Sequence, residues 1–241
     1  MAGCRLPAPE GTATQTIRAG KGPLTNSNLT IPEPTVWRLS LYLRHLQQLS
    51  AQGIDKVSSA QLAGELQLGS AQVRRDLAIL GQFGRPGIGY RVKPLIHQLR
   101  SALGTDRTWK VILVGVGPLG GALLRDEVFS REGFKFVSAF DIQKAKIGKR
   151  VGAVTVRHID KLAAIVKRQK VELAMVTVPA TAVKEVVERL IQAGMKGILN
   201  FAPVAINPRP GVTINQVDLA AHLEQLSFQV IRAARTNSQR R

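Results

Sequence analysis

The chain has 241 residues, 44% hydrophobic and 21% charged, with 34 Lys and Arg against 16 Asp and Glu and a formal net charge of +18. This is the composition of a soluble globular chain, long enough for one large domain or a small domain joined to a medium one. No apolar run approaches the ~20 residues of a membrane span, and Cys4, the single cysteine, excludes an intrachain disulfide or thiol pair.

A field this basic favours polyanions, either nucleic acid or an anionic membrane surface. The excess is spread evenly, with 13 basic and 6 acidic residues over 1–107 and 21 and 10 over 108–241, so charge does not say which half meets the polyanion. Residues 1–30 are rich in Pro, Gly, Thr and Asn and lack the apolar centre of a signal peptide. They read as a disordered tail on a cytoplasmic protein.

From residue 31 apolar side chains recur at helical spacing, at Val36, Leu39, Leu43, Leu46 and Leu49, after Pro32 and Pro34 and before Gln52-Gly53. Ser58 with Gln61 forms a capping-box pattern that opens a short helix. After the turn at Leu68-Gly69, Ser70 is expected to cap a second helix whose inward residues are Val73, Leu77 and Leu80. Two short helices joined by a glycine-bearing turn describe a helix-turn-helix. The first turns of its second helix would offer Gln72, Arg74 and Arg75 to the major groove, where Arg suits guanine or phosphate and Gln suits adenine. The stretch GQFGRPGIGYRV (81–92) reads as a glycine-rich turn with a β-like run over 88–92, a wing that would set Arg85 beside the DNA. Residues 93–103 return to helical spacing, and 104–106 read as a linker.

KVILVGVGPLGGALL (110–124) places a buried-strand run before G-x-G-x-x-G at Gly115, Gly117 and Gly120, with a helix expected to continue to Val128. A second strand ends in Asp141, 21 residues after Gly120. That context makes the glycine pattern a dinucleotide fingerprint, formed by Gly115, Val116, Gly117, Pro118, Leu119 and Gly120. Asp141 would accept from the adenosine ribose and favour NAD over NADP, a preference that Lys144, Lys146 and Lys149 soften. Alternating strands and helices follow, so the fold class is α/β, a parallel Rossmann-type sheet behind a helical head. Ligands bind at the C-terminal ends of such strands. Thr177, Val178 and Pro179, with Asn200, Phe201, Ala202 and Pro203, therefore stand on the expected nicotinamide side.

A dehydrogenase needs an acid or base near the nicotinamide. His45 and His97 belong to the head, His158 lies far from the fingerprint, and His222 one turn after Asp218 has the spacing of a helix-supporting pair. There is no Ser-Tyr-Lys set and no metal-ligand cluster, so the cofactor NAD(H) reads as a ligand to be sensed and the chain as no enzyme. Two alternatives stay open on these residues: an NAD-dependent oxidoreductase with an appended helical domain, and a DNA-binding protein whose Rossmann domain does not switch.

Over residues 31–230 the chain resembles the redox-sensing transcriptional repressor family Rex. The resemblance rests on IPEPTVWRLSLYLRHL, VSSAQLAGEL, AQVRRDLAILGQFGRPGIGYRV, VGVGPLGGAL, AFDIQKAKIGKRVG, MVTVPA, AGMKGILNFAPVAIN and VDLAAHLEQLSF. It implies a winged-helix domain over 31–107, a Rossmann domain over 108–217 and a C-terminal helix over 218–235, exchanged in a homodimer, with a tail over 236–241. It further implies binding to palindromic operator DNA when free or NAD⁺-bound and release by NADH, with no membrane or metal. The DNA-facing set is then Lys56, Ser58, Ser59, Ser70, Gln72, Arg74, Arg75, Arg85 and Tyr90. Arg38 and Asp218 correspond to residues that pair between subunits in the DNA-binding state. Two departures stand out: Asp126 occupies a position where many members have a tyrosine that contacts Asp218 of the partner subunit, which points to Arg125 or Arg38 in a different latch. The wing has Arg-Pro-Gly (85–87) where a basic residue usually stands just before the second glycine.

Overall fold

The computed structural model describes residues 31–81, 84–85 and 88–238, with Arg85 described in its backbone alone. The expected N-terminal tail, the Arg85 side chain, Pro86-Gly87 and residues 239–241 lie outside the described residues. The chain divides into two compact units, Met1–Arg107 and Thr108–Arg241.

In the first unit α1 (Glu33–Ala51) starts behind Pro32, and Gly53 with φ of 77° turns the chain away after its end. A two-residue strand β1 (Lys56–Val57) leads into α2 (Ser59–Glu65). The Ser58–Gln61 capping box is complete, since each side chain accepts the other's backbone N–H. The next helix, α3 (Ser70–Ala78), differs from expectation at its start. Gly69 is the N-cap and makes no side-chain cap, so Ser70 is the first helical residue and not the cap.

The wing strands β2 (Gly84–Arg85) and β3 (Gly89–Arg91) pair antiparallel, and β1 adds to β3, which the sequence reading had not foreseen. Val92 belongs to α4 (Val92–Ala102) rather than to the wing. Leu39, Tyr42 and Leu46 of α1, Leu62 of α2, Val73 and Leu77 of α3 and Leu95 and Leu99 of α4 form one buried core. Together these elements form a winged helix-turn-helix.

The second unit begins with β4 (Trp109–Val114), α5 (Pro118–Arg125), α6 (Val128–Arg131) and β5 (Phe134–Asp141). It continues through a hairpin of β6 (Arg150–Val151) and β7 (Val154–His158), then α7 (Leu162–Gln169), β8 (Leu173–Val176) and α8 (Val183–Gln192). It closes with β9 (Gly197–Asn200), β10 (Thr213–Gln216) and α9 (Leu219–Ser238), the last running beyond the expected end at 235. The sheet order is β10-β9-β8-β4-β5-β7-β6, parallel throughout except for β6 on β7. Without its hairpin edge this is the Rossmann order, with the switch point between β4 and β8.

Strand alternation explains the layers: Ile112 and Val114 pack with α7 and α8 on one face. Val111 and Leu113 pack with Leu124 of α5 on the other. The helix after the fingerprint does not continue to Val128 as expected. Asp126 takes φ −77° and ψ 119°, and its Oδ1 accepts the Val128 N–H at 2.9 Å. A short carboxylate that competes for backbone N–H groups ends one helix and opens the next.

Candidate functional site: a recognition helix and a nucleotide cradle

On α3, Arg74 and Arg75 are exposed while Gln72 is half-buried. Arg74 Nη1 lies 3.2 Å from Ser59 Oγ, tying α3 to the start of α2. Tyr90 of β3 is half-buried, and burial pushes its hydroxyl above the ordinary range while the nearby Arg74 charge pulls it back. Lys56, Ser58 and Tyr90 thus lie on the β1–α2 and β3 segments that flank α3.

Beneath that surface is a group the sequence reading missed. Asp76 of α3 is 2% exposed. Its Oδ2 accepts from Arg38 Nε at 2.6 Å and Tyr42 Oη at 2.7 Å. Its Oδ1 accepts from Arg38 Nη2 at 2.8 Å and Gln72 Nε2 at 2.7 Å. Burial raises the Asp76 pKa, but the hydrogen bonds from Arg38, Tyr42 and Gln72 outweigh it and hold the carboxyl below the ordinary range. The same bond raises Arg38, and burial followed by the bond to Asp76 raises Tyr42. Arg38 is therefore engaged within its own unit through Nε and Nη2. Arg44, the other arginine of α1, is the exposed one.

In the second unit the three fingerprint glycines have separate reasons. Gly115 has φ +99°, and a Cβ there would sit 2.7 Å from the Thr177 carbonyl oxygen. A Cβ on Gly120 would collide with the Gly115 carbonyl oxygen and reach Thr177 Oγ1 at 2.7 Å. At Gly117 it would meet nothing within 4 Å. Packing thus demands two of the glycines, and the third leaves open space at the N-cap of α5, where a pyrophosphate fits against free N–H groups.

Asp141, 7% exposed, stands beside this space. Its Oδ2 accepts from the Val116 N–H at 2.9 Å and Lys146 Nζ at 3.0 Å, and its Oδ1 from the Gln143 N–H at 2.9 Å. Burial works against the charge, but these three donors keep the carboxyl below its ordinary pKa. Oδ1 keeps a lone pair for a ribose hydroxyl. A cavity of about 260 Å³ opens between Gly117, Gly121, Arg125, Lys146, Lys149 and Val156, three of them cationic. This donor set suits the adenosine half of an anionic dinucleotide.

At the strand ends the expected nicotinamide residues divide by role. Thr177 Oγ1 donates to the Gly115 carbonyl at 2.7 Å, so its hydroxyl secures the cradle. The Asn200 side chain is fully buried, donating to the Ala202 and Val204 carbonyls and accepting the Ala202 N–H. Thr177 and Asn200 thus use their side chains to shape the loops at the strand ends, while Ala202 is itself buried. Val178 and Phe201 are half-buried, and Pro179 and Pro203 are exposed. Leu119 on the first turn of α5 is 41% exposed.

Asp218 caps α9, with Oδ1 accepting the Ala220 and Ala221 N–H groups at 3.0 and 3.1 Å. That use of the carboxylate leaves His222 bound to it only through a backbone bond. Among the described residues no group of three or more His, Cys, Asp or Glu could hold a metal, and no helix is long and apolar enough to cross a membrane.

Family models match both units: "CoA binding domain" over residues 106–204 and "Putative DNA-binding protein N-terminus" over residues 30–78. The redox-sensing transcriptional repressor Rex of Carboxydothermus hydrogenoformans is 45% identical over 202 residues, 84% of this chain and 97% of its own. The protein of that name from Rhodopirellula baltica is 44% identical, covering 82% of this chain and 83% of its own. Among solved structures, the Rex-family repressor RSP with β-NAD⁺ and operator DNA aligns with a TM-score of 0.80 and 28% identity, over 87% of this chain and 97% of that one. RSP with β-NADH aligns at 0.76 and 27%, over 86% and 98%. With a winged helix-turn-helix ahead of a Rossmann sheet and relatives of this identity along nearly their whole length, the chain belongs to the redox-sensing transcriptional repressor Rex family.

Proposed function

We propose that the chain is a transcriptional repressor that holds palindromic operator DNA when free or NAD⁺-bound and lets go of it when NADH is bound. The observation that carries this reading is the joining, in one chain, of exposed Arg74 and Arg75 on a recognition helix to a cradle left open at Gly117 beside Asp141. Relatives named redox-sensing repressors, and RSP structures with operator DNA and with either cofactor, support it. When bound, the nicotinamide supplies the signal, its oxidised ring cationic and its reduced ring neutral. The residues that would sense the difference are those at the ends of β8 and β9, where Val178 and Phe201 are half-buried and Pro179 and Pro203 exposed. A ligand shifts an equilibrium only by its differential affinity, and a swing from 1% to 99% released takes about 5.5 kcal/mol. A gel-shift titration of a palindromic operator tests this: NADH releases the DNA and NAD⁺ does not, whereas unchanged affinity in saturating NADH overturns the sensor.

The working unit is a cytoplasmic homodimer with a winged head over 31–107, a nucleotide domain over 108–217 and an exchanged helix from 218. Leu219, Leu223, Leu226 and Val230 of α9 are 54 to 67% exposed and fall at coiled-coil spacing, a seam that a second copy would cover. Asp218 keeps Oδ2 for a cation of the partner subunit. With Arg38 bound to Asp76, that cation is Arg44. Asp218→Asn preserves the cap, because Asn caps as well as Asp, and removes the charge. Unchanged helicity by circular dichroism with operator affinity lowered about tenfold, one ordinary ion pair's worth, is the expected result. Wild-type affinity would remove Asp218 from the switch.

A further inference from the structure

The buried Asp76 carboxylate of α3 is tied to a half-buried neighbour on the same helix. Gln72 Nε2 donates to Asp76 Oδ1 at 2.7 Å, and Arg75 Nη2 donates to Gln72 Oε1 at 2.9 Å. An ionised carboxylate only accepts, so Asp76 dictates that Gln72 turns its NH₂ inward and its oxygen toward Arg75. Asp76 has no freedom to choose otherwise, being held at both oxygens by Arg38 and again by Tyr42. The chain Arg38/Tyr42–Asp76–Gln72–Arg75 thus runs from the buried core of the head to an exposed guanidinium.

We propose that Gln72 is a positioning residue for Arg75 and not a base reader, and that Asp76 sets this by fixing the Gln72 amide. A glutamine that reads adenine needs its oxygen and one N–H side by side for the base edge. In Gln72 the oxygen already accepts from Arg75 and the amide is turned inward. Arg75 by contrast keeps Nε, Nη1 and a second Nη2 hydrogen for guanine, and a guanidinium clamped on one side meets a base with less rotamer freedom to lose. The operator position facing this part of α3 is therefore a G·C pair, and its recognition depends on residues that never touch it. This rests on the reading that the chain binds DNA.

The test is selection by the full-length protein from duplexes with randomised palindromic half-sites, repeated for Arg75→Ala, Gln72→Met, the double variant and Asp76→Asn. Wild type should select guanine at one position in each half-site. Arg75→Ala should cut that preference about tenfold to a hundredfold, the range of one bidentate contact. Gln72→Met should weaken preference at the same position, and the double variant should be no worse than Arg75→Ala. Asp76→Asn should behave like Gln72→Met if it folds, and Gln72→Met carries the test if it does not. Loss of preference at a different base pair in Gln72→Met, additive losses in the double variant, or an unaltered Gln72→Met profile each overturn the proposal. A wild-type chain that selects no site overturns the DNA-binding reading itself, and this proposal with it.

Discussion

Gly120→Ala is expected to cost the nucleotide-binding unit about 3 kcal/mol or more, while Gly117→Ala leaves its melting unchanged and abolishes NADH binding. The two glycines belong to one fingerprint, yet their surroundings differ. A methyl group on Gly120 runs into the Gly115 carbonyl oxygen and Thr177 Oγ1, backbone and a hydroxyl already bonded to that carbonyl, neither of which can swing aside. Overpacking a well-packed position typically costs about 1–3 kcal/mol, and a clash with backbone belongs at the upper end. Gly117 meets no atom within 4 Å, so its methyl group would occupy only the space proposed for the pyrophosphate. Thermal denaturation and calorimetry with NADH separate the two. NADH affinity equal to wild type in a folded Gly117→Ala would move the cofactor away from this cradle.

The second large effect is expected from Arg38→Ala, at about 3–5 kcal/mol, the usual cost of leaving one partner of a buried ion pair alone. Its pH dependence identifies the cause. In the wild type the Asp76 carboxyl is held below its ordinary pKa, so its contribution is complete above about pH 4 and is lost as pH falls through the lower folded value. Without Arg38 the strongest of the bonds that hold the carboxyl down is gone, so the variant's folded pKa is raised relative to the wild type's. The variant's penalty is then fully present at neutral pH and eases as pH falls through that raised value. Urea denaturation in steps from pH 7 down to about pH 3, through the ordinary carboxylate range, should show the gap between variant and wild type narrowing at the lower pH. A gap that stays constant would mean that Asp76 is not the group left stranded.

What could be seen in the sequence followed from periodicity and from local chemistry. The buried apolar run of β4, the capping box at Ser58 and the strand–glycine–helix arrangement at 109–120 depend on neighbours a few residues apart, and they form as read. Long-range partners are another matter. Asp76 stands between Val73 and Leu77 on the inward stripe of α3, a position that calls for a buried base, but nothing local says the base is Arg38, 38 residues upstream. The break at Asp126 went unseen because Leu123, Leu124 and Val128 keep helical spacing across it, and spacing is blind to a side chain bonding its own backbone. Strand β1 is two residues long, too short to show any period. Asn200 has a polar side chain at a strand end, where ligands gather, and the same position also suits a side chain that ties down its own loop.

The two separate cores carry a consequence for biosynthesis. The core of the head is complete with α4, and every residue buried in it precedes residue 100. Domains fold as units and N-terminal ones first during translation, so the operator-binding head can mature on the ribosome before the first Rossmann strand has left the exit tunnel. The apolar seam of α9 follows both cores in the chain, so the pairing with a second copy proposed above would come only after both halves of the nascent chain have emerged.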